Sequence, residues 1–267
     1  MTASITTDTT ENPTLLTDQM RAATKDIHDK SDRLVNLKLA LVLTSPALYG
    51  EAIGLFLPVF EKIEEIMDQH KNHPKLGELS SLIDTLRRGP AFRADMAYYL
   101  TTDRRKELEE SWQKGEHPEV TAYLKHIETI EREDPIRVLA YYYHLNGAIL
   151  AGGQIIKRTV SKALGLPKDQ VEGVQVFDVK DNISISSKGI FNRVKKIYNE
   201  ELELTAKEKE ALIEEGVEVF RLNNQLVGSV KGTEAWKLAS DSFMKKILLG
   251  CSLSCAAMML AWKLFFR

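Results

Sequence analysis

Apolar residues recur at three- and four-residue spacings along most of this chain, and no convincing pair of alternating strand-like runs is present. The pattern predicts an all-α protein. A first helix is expected from just after Thr17 to about Leu34. Ser45 followed by Pro46 reads as an N-cap with proline at the first helical position, opening a long helix to about His70 with a kink at Pro58. "NHPKLG" is a loop, residues 76–87 form another helix, and Gly89–Pro90 opens the next. Residues 103–113 and 118–133 each carry a helical period. A longer pattern begins near Pro135 and stops at Gly165, with Pro167 beyond it. Residues 168–182 are loop-like, 183–202 are helical, and Thr205 with Glu208 forms a capping box for a last long helix to about Leu226.

Two stretches depart from the amphipathic pattern. "MTASITTDTTENPT" is polar and threonine-rich, has no basic segment leading into an apolar one, and reads as disordered over 1–14 rather than as a signal peptide. "ILLGCSLSCAAMMLAWKLFF", residues 247–266, is apolar on every face apart from Lys263. A helix of that length matches a bilayer core of about 30 Å, and Lys245 and Lys246 place its N-terminal side in the cytosol. The expected organisation is a single multi-helix domain at 15–228, a linker at 229–245 and a C-terminal transmembrane helix at 246–267. That anchor would be inserted after translation, most commonly into the endoplasmic reticulum. The chain has 267 residues, 43% of them apolar, enough for one substantial core. A net charge of −2 gives no reason to expect nucleic acid as a partner. Both cysteines, Cys251 and Cys255, fall inside the apolar tail, so no disulfide framework is available to the body.

Candidate chemistry sits on two of the predicted helices. In "MRAATKDIHDKSDRL", Arg21, Lys25, His28 and Asp32 form one stripe beside the core stripe of Met20, Thr24 or Ala23, Ile27, Ser31 and Leu34. An imidazole at that border can face a pocket, with Asp32 one turn on to accept from its other N–H. The plain alternative is a boundary histidine in a solvated, mixed-charge face. In "HLNGAILAGGQIIKRTV", Gly147, Gly152 and Gly153 interrupt a helix, each at a cost of about 1 kcal/mol relative to alanine. Either a second helix packs very close there, or a flat ligand lies against the backbone. Together the two helices suggest a porphyrin held between them, with iron on His28 and propionates on the basic residues.

The segments "AATKDIH", "AYYYHLNGAILAGGQIIKRTVSKALGLP" and "NEELELTAKEKEALIEEGVEVFRLNNQL" resemble, in order and spacing, the corresponding segments of the heme oxygenases. "RGPAFRADMAYYL" and "EDPIRVLAYYY" also fit, so the likeness runs from about 17 to 227, and the apolar tail completes the same architecture. The resemblance implies heme as cofactor and substrate, molecular oxygen as co-substrate and a separate NADPH-dependent flavoprotein reductase as electron donor. Consistently, the chain has no glycine-rich dinucleotide fingerprint. By the same likeness His28 is the iron ligand and Asp32 the acid that orients it. Arg21, Lys25, Tyr143 and Lys196 reach the propionates, with Arg193 standing in beside Asn192. Phe220 and Asn223 flank the cavity, and Gly152 and Gly153 let the helix bend over bound oxygen.

One part of the family pattern is replaced. Ile149 stands where the family carries an aspartate, Ala151 where it carries a serine, and Leu145 and Val59 where an arginine and a tyrosine support that aspartate. In the family the aspartate holds a water that donates to bound oxygen. Asn146, one turn from Ile149, is the candidate to recruit water instead, with His144 as a second. Two functions follow from this departure: heme cleavage to biliverdin, carbon monoxide and ferrous iron, or a membrane-anchored heme-binding or peroxidase-like protein that no longer opens the ring. A third reading, a tail-anchored helical scaffold whose glycines serve packing alone, does not explain His28 and its basic neighbours.

Overall fold

The computed structural model describes residues 14–179 and 186–230. The stretches read as disordered N-terminus, linker beyond 230 and membrane anchor lie outside them. Among the described residues eleven α-helices run in order: α1 Leu16–Val42, α2 Pro46–Gly54, α3 Leu57–Gln69, α4 Ser80–Leu86, α5 Gly89–Tyr99 and α6 Thr102–Gln113, then α7 Pro118–Glu133, α8 Val138–Gly147, α9 Gly153–Ala163, α10 Ser187–Lys196 and α11 Ala206–Gly228. Among the described residues there is no strand, and no helix is long and apolar enough to cross a membrane.

Most boundaries follow local chemistry. Ser45 accepts from Leu48 N–H and Thr205 and Glu208 cap α11 reciprocally, as their spacing predicts. Gly165 takes the left-handed conformation at φ +68°, which ends α9. Two expectations are corrected. The helix expected over 46–70 is two helices, because Pro58 lies in the first turn of α3, where its missing N–H has no helical duty. The first helix runs eight residues past Leu34, to Val42. Late in that extension Lys38 is 8% exposed and donates from Nζ to Gly228 O at 3.3 Å, on the C-terminal turn of α11.

That contact, with Thr24 near Gly216 and His28 near Phe220, sets α1 and α11 side by side and parallel. Polar residues can occupy the buried stripe of α1 because their hydroxyls bond back along the helix. Thr24 Oγ1 donates to Met20 O and Ser31 Oγ to Ile27 O, each at 2.8 Å. On its other side α11 is clamped by Glu215, whose side chain is fully buried. Its carboxylate accepts from His126 Nε2 at 2.7 Å, Tyr141 Oη at 2.6 Å and Arg137, so α7, α8 and α11 meet at one satisfied charge. Truncating such a group strands its partners, at a cost of about 3–5 kcal/mol.

The helix expected from 135 to 165 is one rod with a flaw. After a 3-10 turn at Pro135–Arg137, α8 passes into a π-turn at Ala148–Gly152 and then into α9. A second π-turn, Ile197–Glu201, ends the α10 rod. Such turns add a residue to the helical cycle and tend to occur at functional sites.

Candidate functional site between the first helix and the glycine-bearing rod

Arg21, Lys25, His28 and Asp32 all lie on the exposed face of α1. Asp32 Oδ2 is 3.3 Å from His28 Nδ1, and the His28 side chain is 53% exposed. Among the described residues His28 Nε2 makes no hydrogen bond, so the imidazole has a carboxylate beside one nitrogen and is open on the other. Phe220 of α11 packs against it, ring centroids 5.3 Å apart, and His144 of α8 packs against Phe220 at 5.2 Å.

Gly216 makes room for His144, since a Cβ there would lie 2.7 Å from its Nε2. That atom is buried without a partner, although the residue keeps some surface. Burial, with His28 nearby, pulls the His144 imidazole down to about 4, so it is neutral at pH 7. Along the rod, His144, Ala148, Ala151 and Gly152 share a face. The last three are small and exposed, and a Cβ on Gly152 would meet nothing within 4 Å. An open, shallow floor therefore begins where His28 stands.

The other glycines have a different reason. A Cβ on Gly147 would lie 3.0 Å from the Phe191 ring of α10, and one on Gly153 would lie 3.0 Å from Phe177. Phe177 is set there by Asp95, which accepts from the N–H groups of Gln175 and Val176, each at 2.9 Å. Burial drives that carboxyl up to about 6 despite these donors. Gly147 and Gly153 thus serve close packing, and Gly152 alone opens on space.

At the N-terminal end of α1, Thr17 and Asn199 exchange hydrogen bonds of 3.0 Å, tying α1 to the second π-turn. Tyr143, 7% exposed, reaches the same corner. Burial pushes its phenol up to about 12, against a hydrogen bond to Thr17 that favours ionisation, with Asp18 and Arg21 close by. Tyr143 and Arg21 therefore share a corner. On α10, Arg193 is engaged by Glu201, Lys196 is exposed, and Lys195 Nζ lies 4.9 Å over the Phe191 ring. Asn223 accepts from Tyr123 Oη at 3.0 Å.

Val59, Leu145 and Ile149 are 0%, 4% and 8% exposed, an apolar set in the positions where polar support was looked for. Asn146 is turned inward: its Nδ2 donates to Tyr142 O at 2.9 Å, and it lines a small cavity with α3 and α4 residues rather than the open floor. Thr17, Asn199, Phe191 and Lys195 escaped sequence reasoning because they lie on α1 and on the α10 rod, far apart in the chain.

This geometry suits a flat, largely apolar ligand that presents a metal to a free imidazole nitrogen and anionic groups to a basic rim. Such a donor set, an imidazole backed by a carboxylate, is suited to heme iron. Comparison with known proteins agrees. The family model described as heme oxygenase matches residues 14–229. The chain belongs to the heme oxygenase family.

Heme oxygenase 2 of Oryctolagus cuniculus is 27% identical over 222 residues, covering 79% of this chain and 64% of that protein. The chain thus spans slightly less than two thirds of that relative. Heme oxygenase 1 of Nostoc sp. is 23% identical over 218 residues, covering 81% and 86%. Among solved structures, heme oxygenase 2 from Chlamydomonas reinhardtii without heme superposes with a TM-score of 0.72 at 26% identity, over 82% of this chain and 99% of that one. Heme oxygenase-1 from Synechocystis in complex with heme shares the fold with a TM-score of 0.72 at 22% identity, over 87% and 99%.

Proposed function

We propose that this chain binds heme between α1 and the α8–α9 rod and cleaves it with molecular oxygen to biliverdin, carbon monoxide and ferrous iron. The observation that carries the reading is the pairing of His28, oriented by Asp32 and open at Nε2, with a floor that Gly152 leaves unfilled. Family membership supports it. Heme, when bound, supplies the iron at which oxygen is reduced and is itself the ring that is opened.

The protein residues divide the remaining work. His28 ligates through Nε2, and Asp32 fixes the ring by holding Nδ1. Arg21, Lys25 and Lys196, with Tyr143 beside Arg21, neutralise the propionates at the rim. Arg193 would have to leave Glu201 to join them. Gly152 keeps the floor open to oxygen, while Leu145, Ile149 and Val59 exclude bulk water. No carboxylate stands at Ile149, so protons must arrive through water held by other groups. Electrons come from a separate NADPH-dependent flavoprotein reductase. The apolar run at 246–267 anchors the domain to the endoplasmic reticulum membrane, facing the cytosol. Loss of membrane association on its removal is the check on that part.

The test is to load the purified chain with hemin, supply a flavoprotein reductase and NADPH, and follow the visible spectrum with a carbon monoxide trap. Loss of the Soret band with stoichiometric biliverdin and carbon monoxide is expected. A stable Soret band without ring-opened product would leave a heme-binding protein without turnover, the reading that the apolar wall at Ile149 favours.

A further inference from the structure

Polar atoms that are missing at Ile149 and Leu145 are present behind the rod. Tyr142 Oη and Asn146 Oδ1 are buried without a hydrogen-bond partner, and so are Nε and Nη2 of Arg88 in the α4–α5 connection. Such atoms are costly to leave dry. A cavity of about 10 Å3, counted as space for the centre of a water molecule, lies beside Tyr142 and Asn146. Glu64, Tyr141, Tyr142 and Asn146 are its polar lining, the Tyr141 hydroxyl being committed to Glu215, and Phe60, Met67 and Leu86 are among its apolar walls. One water needs about that much room and two or more polar partners. The donors and acceptors also match. Asn146 commits Nδ2 to Tyr142 O, which leaves Oδ1 to accept from a water, while Tyr142 Oη can donate to the same water.

Glu64 has a second surface. It also lines an outer groove of about 510 Å3, counted in the same way, with Glu61, Glu65, Asp68 and Arg87. Its Oε1 accepts from the N–H groups of Arg88 and Gly89, and its Oε2 is 3.9 Å from the Arg87 guanidinium. Gly89 leaves Oε2 uncovered, since a Cβ there would come within 3.0 Å of it. One carboxyl group thus forms the wall shared by the interior cavity and the solvent groove.

We propose that the cavity holds one ordered water bonded to Tyr142 and Asn146, and that Glu64 connects it to the outer groove, giving protons a route to the rod from behind. Glu64 is suited to carry a proton. Burial raises its carboxyl and Glu61 adds to this, while the Arg88 and Gly89 N–H groups and Arg87 act in the opposite sense. Across the cavity from Glu64 stands Tyr142, and the Arg88 guanidinium in the α4–α5 connection also acts on both. The water stands on the geometry alone, whereas its use in catalysis rests on the heme-cleavage reading.

The test has two arms, both on the full chain. In high-resolution crystals without heme, a water within hydrogen-bond distance of Tyr142 Oη and Asn146 Oδ1 is expected. It should vanish in Asn146→Leu and remain in Glu64→Gln, where the amide oxygen can still accept from the Arg88 and Gly89 N–H groups. With heme and reductase, Glu64→Gln should slow product formation about tenfold or more and enlarge the solvent deuterium isotope effect, the Soret band staying unchanged. A dry cavity overturns the proposal. A wet cavity with an unaltered rate and isotope effect in Glu64→Gln overturns the conducting role. Failure to take up heme would refute the proposed function, and crystal density would still decide the water.

Discussion

On α1 the groups beside the open floor are polar and half in solvent: Arg21, Lys25, His28 and Asp32 project from one exposed stripe. On the α8–α9 rod the corresponding positions beyond His144 are small or apolar, and Ile149 and Leu145 are buried. The charged wall can bind and orient a metal with little burial cost, because exposed ion pairs need little stabilisation and are worth little. The apolar wall can shape and dry a site but cannot move a proton. The difference separates binding from turnover: α1 supports heme binding directly, and the rod supports cleavage only through water or through the groups behind it.

The largest effect that would break this comparison comes from Gly152→Leu. A Cβ at Gly152 meets no protein atom within 4 Å, so the fold should keep its melting temperature while heme uptake and turnover are lost. Gly147→Leu should do the reverse, since its side chain runs into Phe191, costing about 1–3 kcal/mol of stability by denaturant unfolding. Equal loss of stability in the two variants would remove the distinction between an open and a packed glycine.

Ile149→Asp sharpens the contrast from the other side. A carboxylate placed there should raise the rate of biliverdin formation about tenfold if the apolar wall limits proton delivery. It should also cost about 1–3 kcal/mol of stability, because the site is 8% exposed. An unchanged rate would mean that protons already arrive by another route, such as the cavity at Glu64. The smallest effect is expected from Asp32→Asn: stability within about 0.5 kcal/mol of the parent, with the iron–histidine stretching frequency lowered. A frequency identical to the parent's would show that Asp32 does not hold the imidazole.

Elements whose ends carry their own chemistry were readable in advance. The Ser45 cap, the Thr205–Glu208 box and the Gly165 stop each depend on residues within four positions of one another. The α1 stripe was readable too, down to the placement of Asp32 beside His28, because helical spacing fixes which residues share a face. The π-turn at Ala148–Gly152 was not, since its extra residue leaves the local apolar pattern intact while shifting the later positions around the rod. Nor could spacing tell Gly152 from Gly153. They differ only in what the chain brings near them, Phe177 in one case and nothing in the other. Glu64 and Arg88 were invisible for a related reason, as buried charges have no period and their partners come from distant helices.

The account rests most heavily on His28 as the residue that takes iron. Titrating hemin into the full chain and into His28→Ala, with the Soret band and ferrous iron–histidine stretch recorded for each, tests it directly. The parent should show a saturable Soret band with a histidine-ligated signature. The variant should lose that signature and bind hemin at least about tenfold more weakly. The same spectrum and affinity in both would contradict the assignment of the α1 stripe as the heme-binding wall.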